Sequence, residues 1–391
     1  MGCFQGTDFA MILRCGLEEW PETNQHLAVM RCHAGTFGQS KHETNRPVAA
    51  RIIWAGSSRS ERNDCSEREM GKPSSKQLAT PKLVPSWDSW PYRIGCPVWG
   101  CKAWSGQIYP SGTAADGFLS WYSHMLPTVE GNSTFYSVPG PEVFRKWADT
   151  TAAGFRFCFK FPRSLSHDSK LVNCEGLERE WLDRLRILHD AQRLGPTFLQ
   201  LAPSFSARYF AQLAQFLERL PKEWPWAVEV RHPDWFDGDG WEMRLNRLLE
   251  GLGIDRVIFD SRPLNAMAPS DQAEVVSQER KPKVPLRVEV TGSRPMVRLI
   301  GRNDVNEVLE YWDEWGERIA GWIRAGLRPW VFTHAPDDAF APSLVQALHE
   351  RIRARIPELP LLPALDQVQA NEPLSTEGSG NFHQLRLFPE C

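Results

Sequence analysis

No run of about eighteen uninterrupted apolar residues occurs in the 391-residue chain, which sets aside a membrane-spanning helix. The first thirty residues also lack a basic segment followed by an apolar block and a small-residue cleavage site, so secretion by that route is not expected. The nine cysteines, Cys3, Cys15, Cys32, Cys65, Cys96, Cys101, Cys158, Cys174 and Cys391, form neither paired C-x-x-C knuckles nor a compact disulfide spacing. Reduced thiols in a cytoplasm fit that pattern. Charge of one sign is lacking too: a formal net charge of -3 argues against a protein that coats nucleic acid electrostatically, though it leaves room for a local basic cleft. What is present is a 42% hydrophobic composition, enough for a sizeable core, and seventeen tryptophans expected mostly as core or cleft wall.

Residues 1–90 show no sustained helical or strand period. Two readings compete, a disordered extension and translated upstream sequence ahead of a true start at Met70. The second is favoured because Ser66-Glu67-Arg68-Glu69 can be encoded almost wholly by purines, as a bacterial ribosome-binding site would be.

From residue 91 the texture changes to short β-branched or aromatic runs alternating with longer amphipathic stretches, the pattern of βα units on a parallel sheet. Eight strands are predicted, at 93–96, 128–132, 155–161, 197–201, 227–231, 256–260, 296–300 and 329–334. Helical patterns fall at 141–150, with proline at the first turn, at 177–193 and at 306–325. The expected fold is a (β/α)₈ TIM-barrel-like domain over residues 91–365. Its one long irregular connection, 261–294, lies where a loop covers the active face. Past residue 365 the chain turns polar and rich in Gly and Ser, as a flexible tail does.

Barrel chemistry gathers at the carboxyl ends of strands, and here those ends are polar. Glu130 and Asn132 close the second strand, Lys160 and Arg163 the third, with His167 shortly after, and Gln200 the fourth. Glu229, Arg231 and His232 close the fifth, Asp260 the sixth, Arg302 follows the seventh and His334 ends the eighth. Alternation places Glu229 and Arg231 on one face, and groups Cys158 with Lys160. Glu130 and Glu229 are candidates for acid and base, with Lys160, Arg231 and Arg302 as an anion-binding rim. Lys160 and His334 are further catalytic candidates, while Asn132, Arg163, His167, Gln200, His232 and Asp260 are candidates for ligand binding. The competing reading is a satisfied polar layer of the barrel. His232, Asp260 and His334 form no compact metal motif, and no cofactor is specified by the residues. Cys96 and Cys101 are too far apart for a redox pair and read as two buried thiols.

Five strings in order carry a family likeness: Ile94-Gly95-Cys96-Pro97-Val98-Trp99, Val129-Glu130-Gly131-Asn132-Ser133-Thr134-Phe135-Tyr136, Phe157-Cys158-Phe159-Lys160-Phe161-Pro162, Leu199-Gln200-Leu201-Ala202-Pro203-Ser204-Phe205 and Val228-Glu229-Val230-Arg231-His232-Pro233. Together they resemble the YecE-like family, domain of unknown function 72, along nearly the whole barrel. The resemblance implies a (β/α)₈ barrel with a polar pocket at its carboxyl face and no established reaction or cofactor. Carried over by position, its pocket residues are Glu130, Asn132, Lys160, Gln200, Glu229, Arg231 and His232. The first strand departs from the commoner Gly-Thr-Ser-Gly-Trp form, having Cys-Pro-Val-Trp after Gly95.

Near the end stands Gln384-Leu385-Arg386-Leu387-Phe388, which resembles the peptide by which bacterial polymerases and repair proteins bind the sliding clamp. In that mode Leu385, Leu387 and Phe388 fill an apolar groove and Gln384 bonds at its rim. The function read from the strand ends is binding of a small anionic or phosphorylated ligand, with an enzyme of hydrolase or other acid/base type in view. The alternatives are a clamp-recruited DNA-maintenance factor or nucleic-acid hydrolase, and a non-catalytic binding or scaffold protein.

Overall fold

The strands are parallel and almost wholly buried, which is why they read as near-continuous apolar runs. The computed structural model describes residues 86–365. The proposed start at Met70 and the tail peptide both lie outside the described residues. Eight strands are seen: β1 (Arg93–Gly95), β2 (Thr128–Gly131), β3 (Arg156–Phe159), β4 (Thr197–Gln200), β5 (Trp226–Glu229), β6 (Asp255–Asp260), β7 (Met296–Ile300) and β8 (Trp330–His334). Each lies within two residues of its expected limits. Between and after them run α1 (Phe118–Met125), α2 (Ser133–Tyr136), α3 (Pro141–Thr150), α4 (Glu175–Asp190), α5 (Phe210–Arg219), α6 (Trp241–Leu252), α7 (Arg262–Asn265), α8 (Gln272–Arg280), α9 (Leu309–Arg324) and α10 (Ala341–Arg355).

Six strands make one curled parallel sheet in the order β1-β8-β7-β6-β5-β4, and β2 pairs with β3 in parallel as a second. The backbone of Glu130 donates to Cys96 O at 3.0 Å just past β1, and Phe161 N donates to Phe198 O of β4 at 3.0 Å. Tyr122 of α1 ties the β1–β2 approach: its hydroxyl accepts from Cys96 N and donates to Thr128 O, each at 2.9 Å. Gly95 is required there, because a Cβ would overlap the Thr128 carbonyl.

Three apolar bodies follow from the alternation of the strands, the third a minor one of Phe259, Leu264 and Ile300. A large core lies between strands and helices and contains the fully buried Trp104, Trp181, Trp312 and Trp315. A small separate cluster gathers same-face residues of neighbouring strands: Cys158, Phe198, Ala227, Val257, Met296, Trp330 and Phe332. Two residues beyond Cys158, Phe198, Ala227, Met296 and Phe332 stand Lys160, Gln200, Glu229, Arg298 and His334, the polar positions directly above this cluster, with Phe259 beside them on β6.

The folded region begins earlier than residue 91. Trp87 is fully buried and its indole N–H donates to Ser123 O at 2.7 Å, a long-range contact invisible to local periodicity. The connection 261–294, expected to be irregular, carries α7 and α8. Asp271 caps α8 by accepting from Glu274 N at 2.8 Å, and the Glu274 carboxylate accepts from Ser270 N at 2.9 Å, a variant of the capping box. Cys96 is buried as expected and Cys101 only half-buried; both are free thiols.

Candidate functional site

Arg298, in the middle of β7, is the centre of the polar layer, and it was not among the residues singled out from the sequence. Its inward position follows from parity with Met296, which lies in the small apolar cluster. The guanidinium meets Glu130 in a two-pronged contact, Nε to Oε2 at 2.8 Å and Nη2 to Oε1 at 2.7 Å, and reaches Glu229 Oε2 with Nη1 at 2.6 Å. All three groups are buried. Glu229 Oε1 accepts further from Gln200 Nε2 and Arg231 Nε, both at 2.7 Å. Glu130 Oε1 accepts from Asn132 Nδ2 at 2.9 Å. The lone charge in an apolar strand, Met-Val-Arg-Leu-Ile, was the signal that sequence reading passed over.

The electrostatics follow from this geometry. Burial pushes the Glu130 carboxyl up, but Arg298 and His334 outweigh it and hold Glu130 well below the usual carboxylate range. Glu229 responds likewise, with Arg298 and Arg231 overcoming burial and bringing it to about 2. Arg298 gains from both carboxylates more than its burial costs, and its charge is locked on. Burial brings His334 down to about 4 despite Glu130 beside it. A neutral imidazole facing an ionised carboxylate must donate, so His334 Nε2–H points at Glu130 Oε2, 3.2 Å away. With their carboxyls held so low, Glu130 and Glu229 are weak bases and poor acids at neutral pH. Both carboxylates are held by guanidinium groups at 2.6 to 2.8 Å, the geometry of an ionised scaffold.

Two lysines have the opposite character. Lys160 follows β3, with Nζ 3.5 Å from the centroid of the Phe135 ring. Burial first, then Arg298 and Arg231, bring it down to about 7, against the pull of Glu229 and Glu130. Lys281, just past α8 and also missed from sequence, is brought to about 8 by burial and by Arg298, with Glu130 and Asp338 opposing. Among the described residues neither Nζ has a carboxylate within 4.0 Å. His167 packs edge-on against Phe135 at 5.0 Å and is lowered to about 4 by burial, then by Lys160, Arg163 and Arg231.

Other candidates stand apart from this group. Arg302 is buried, but it donates to Glu274 Oε2 at 2.6 Å and Ala268 O at 3.0 Å, and also meets Glu307. It fastens the β6–β7 connection, and its partners there are Glu274, Glu307 and the Ala268 carbonyl rather than members of the Arg298 layer. Asp260 accepts from Arg262 Nη2 at 2.8 Å and Trp315 Nε1 at 2.9 Å, on the side of α9. Arg163 is exposed and pairs with Asp168 at 3.1 Å, while His232 Nδ1 accepts from Asp234 N at 3.2 Å as a loop cap. Among the described residues no group of three His, Cys, Asp or Glu side chains is placed to hold a metal ion. No helix among them is long and apolar enough to cross a membrane.

A parallel α/β fold with a charged layer at the carboxyl ends of its strands defines the class. The family described as Protein of unknown function DUF72 matches residues 93–369. UPF0759 protein YecE of Escherichia coli (strain K12) is 39% identical over 274 residues, 70% of this chain and 97% of YecE. UPF0759 protein YunF of Bacillus subtilis (strain 168) is 26% identical over 160 residues, 39% of this chain and 55% of YunF. The crystal structure of the DUF72 family protein EF0366 from Enterococcus faecalis V583 superposes with a TM-score of 0.53 at 14% identity, covering 73% of this chain and 100% of that one. That likeness bears on the fold alone. The chain belongs to the DUF72 family.

Proposed function

We propose that the two sheets close into one (β/α)₈ barrel and that the protein binds a small anionic ligand, phosphorylated or carboxylate-bearing, at the carboxyl face. The observation that carries this reading is a charge imbalance. Glu130 and Glu229 are matched by Arg298 and Arg231, and Lys160 and Lys281 stand beside that neutral layer as surplus cations with no carboxylate of their own in reach. Two desolvated cations without partners are unfavourable, and an incoming anion supplies what is missing. The carboxylates then serve as positioners of Arg298 and Arg231, and Lys160 becomes the group suited to proton exchange at neutral pH.

The test is a calorimetric titration of the full chain with sulfate and inorganic phosphate on the acid side of neutrality, beside Lys160→Met and Lys281→Met. Saturable binding weakened by both substitutions supports the reading. Heats indistinguishable from dilution for the unaltered protein would overturn it.

A further inference from the structure

Lys160 is placed as a nucleophile is placed. Its backbone N–H donates to Gly131 O at 3.3 Å and the residue bridges to Phe198 of β4, so its position is fixed from both sides. The amine tip rests on the face of Phe135, an uncharged neighbour, and it is not among the sealed polar atoms of the interior. The charged groups that face it are Arg298, Glu229, Arg231 and Glu130, with His167 on the same aromatic ring. Both carboxylates are committed to guanidinium groups at 2.6 to 2.8 Å, so neither pins the lysine as an ammonium ion. A lysine desolvated among other cations is the recognised setting for imine chemistry, since a useful fraction is free amine at neutral pH.

We propose that Lys160 forms an imine with a small aldehyde or ketone that carries a carboxylate or phosphate, the anionic group being met by Arg231 and Lys281. The inference rests on the anion-binding reading and adds the reacting group to it. The ammonium form first gives up a proton. The amine lone pair then attacks the carbonyl carbon, forming C–N as the C=O π bond breaks, and one N–H proton moves to the oxygen. The resulting hydroxyl takes up the proton released at the start and leaves as water while C=N forms. The balance is one ammonium and one carbonyl giving one protonated imine and one water, with no oxidant or reductant. Such an imine withdraws electrons from the neighbouring carbon, as bond cleavage or condensation there requires.

Reductive trapping tests it. The full chain is incubated with pyruvate or with glycolaldehyde phosphate, reduced with sodium borohydride, and read by intact mass and peptide mapping. The expected result is one adduct per chain on the Lys160 peptide, heavier by the mass of the carbonyl compound less one oxygen, and suppressed by excess sulfate. Acetone and glycolaldehyde, which lack the anion, label far less at the same concentration. K160R, which keeps a cation but no nucleophile, gives no such adduct, with folding checked by circular dichroism; should K160R fail to fold, the adduct's position in the unaltered chain decides. Labelling on Lys281, labelling scattered over surface lysines, or no labelling by either probe would overturn the proposal. Sulfate binding without trapping overturns the imine alone, whereas absence of both removes the anion site as well.

Discussion

Replacing Arg298 with methionine is the most informative perturbation of the polar layer. Three contacts disappear, two to Glu130 and one to Glu229. Glu229 keeps Arg231 and Gln200, but Glu130 is left with Asn132 and a neutral His334, so Glu130 becomes the uncompensated charge. Stranding one buried partner of an ion pair costs about 3–5 kcal/mol. The cost must also depend on pH. In the unaltered protein Glu130 stays ionised far into the acid range, whereas R298M can replace the lost cation by taking one proton onto the Glu130–His334 pair. The variant's native state then binds one proton more than its unfolded state. Its stability relative to the unaltered protein therefore falls as pH rises, by up to about 1.4 kcal/mol per pH unit. Urea unfolding of both proteins at three pH values between 6 and 8 reads this directly. We expect a loss of about 3–5 kcal/mol at the alkaline end that shrinks on acidification. R298K should fall between the two, because an ammonium group cannot span both carboxylates as the planar fork does. A loss under about 1 kcal/mol, or one that is flat with pH, would refute the account of the layer as a buried, mutually dependent set.

Four further outcomes are expected. Sulfate affinity, measured by calorimetry, should drop by up to about tenfold per pH unit once Lys160 loses its proton above about 7, and the slope should flatten in K160M; a pH-independent affinity would contradict the assignment. Asp255, brought up to about 6 by burial, holds its proton more tightly folded than unfolded, so it costs stability increasingly as pH rises from about 4 to about 6 and in full above that. D255N keeps an acceptor for Arg294 N and should melt higher than the unaltered protein at pH 8 but not at pH 4; thermal melts at both values check it. G95A drives a methyl group into the Thr128 carbonyl and should cost about 3 kcal/mol or prevent folding, read from soluble yield and melting. R302M unfastens Glu274, so limited proteolysis should cut the 261–295 connection sooner while the rest of the chain resists; an unchanged cleavage pattern would show that the connection is held elsewhere.

Local pattern carried the strands and the helices now seen as α3, α4 and α9 because each needs only its own residues: Met296–Ile300 and Pro141–Thr150 are read off as they stand. It also carried Glu130, Lys160, Gln200 and Glu229, since a polar residue closing an apolar strand is visible without knowing the neighbours. What it could not supply was pairing. Arg302 and Arg298 both sit on or beside β7 and look alike in the sequence. The difference is that Glu274 on α8 claims the first, while Glu130 and Glu229, far away in sequence, claim the second. Lys281 was hidden because it falls in a connection whose Pro and charge read as loop, although it follows α8 directly and is buried within the influence of Arg298 and Glu130. Pairing also inverted the chemistry read from residue type. The two glutamates read as acid and base are both held by guanidinium groups, whereas Lys160, read both as a rim cation and as a catalytic candidate, has no carboxylate on it. An arginine shared by two carboxylates holds both low and, together with the larger effect of burial, lowers the lysine beside them. Arg298 is thus the group on which the charge pattern of this layer turns.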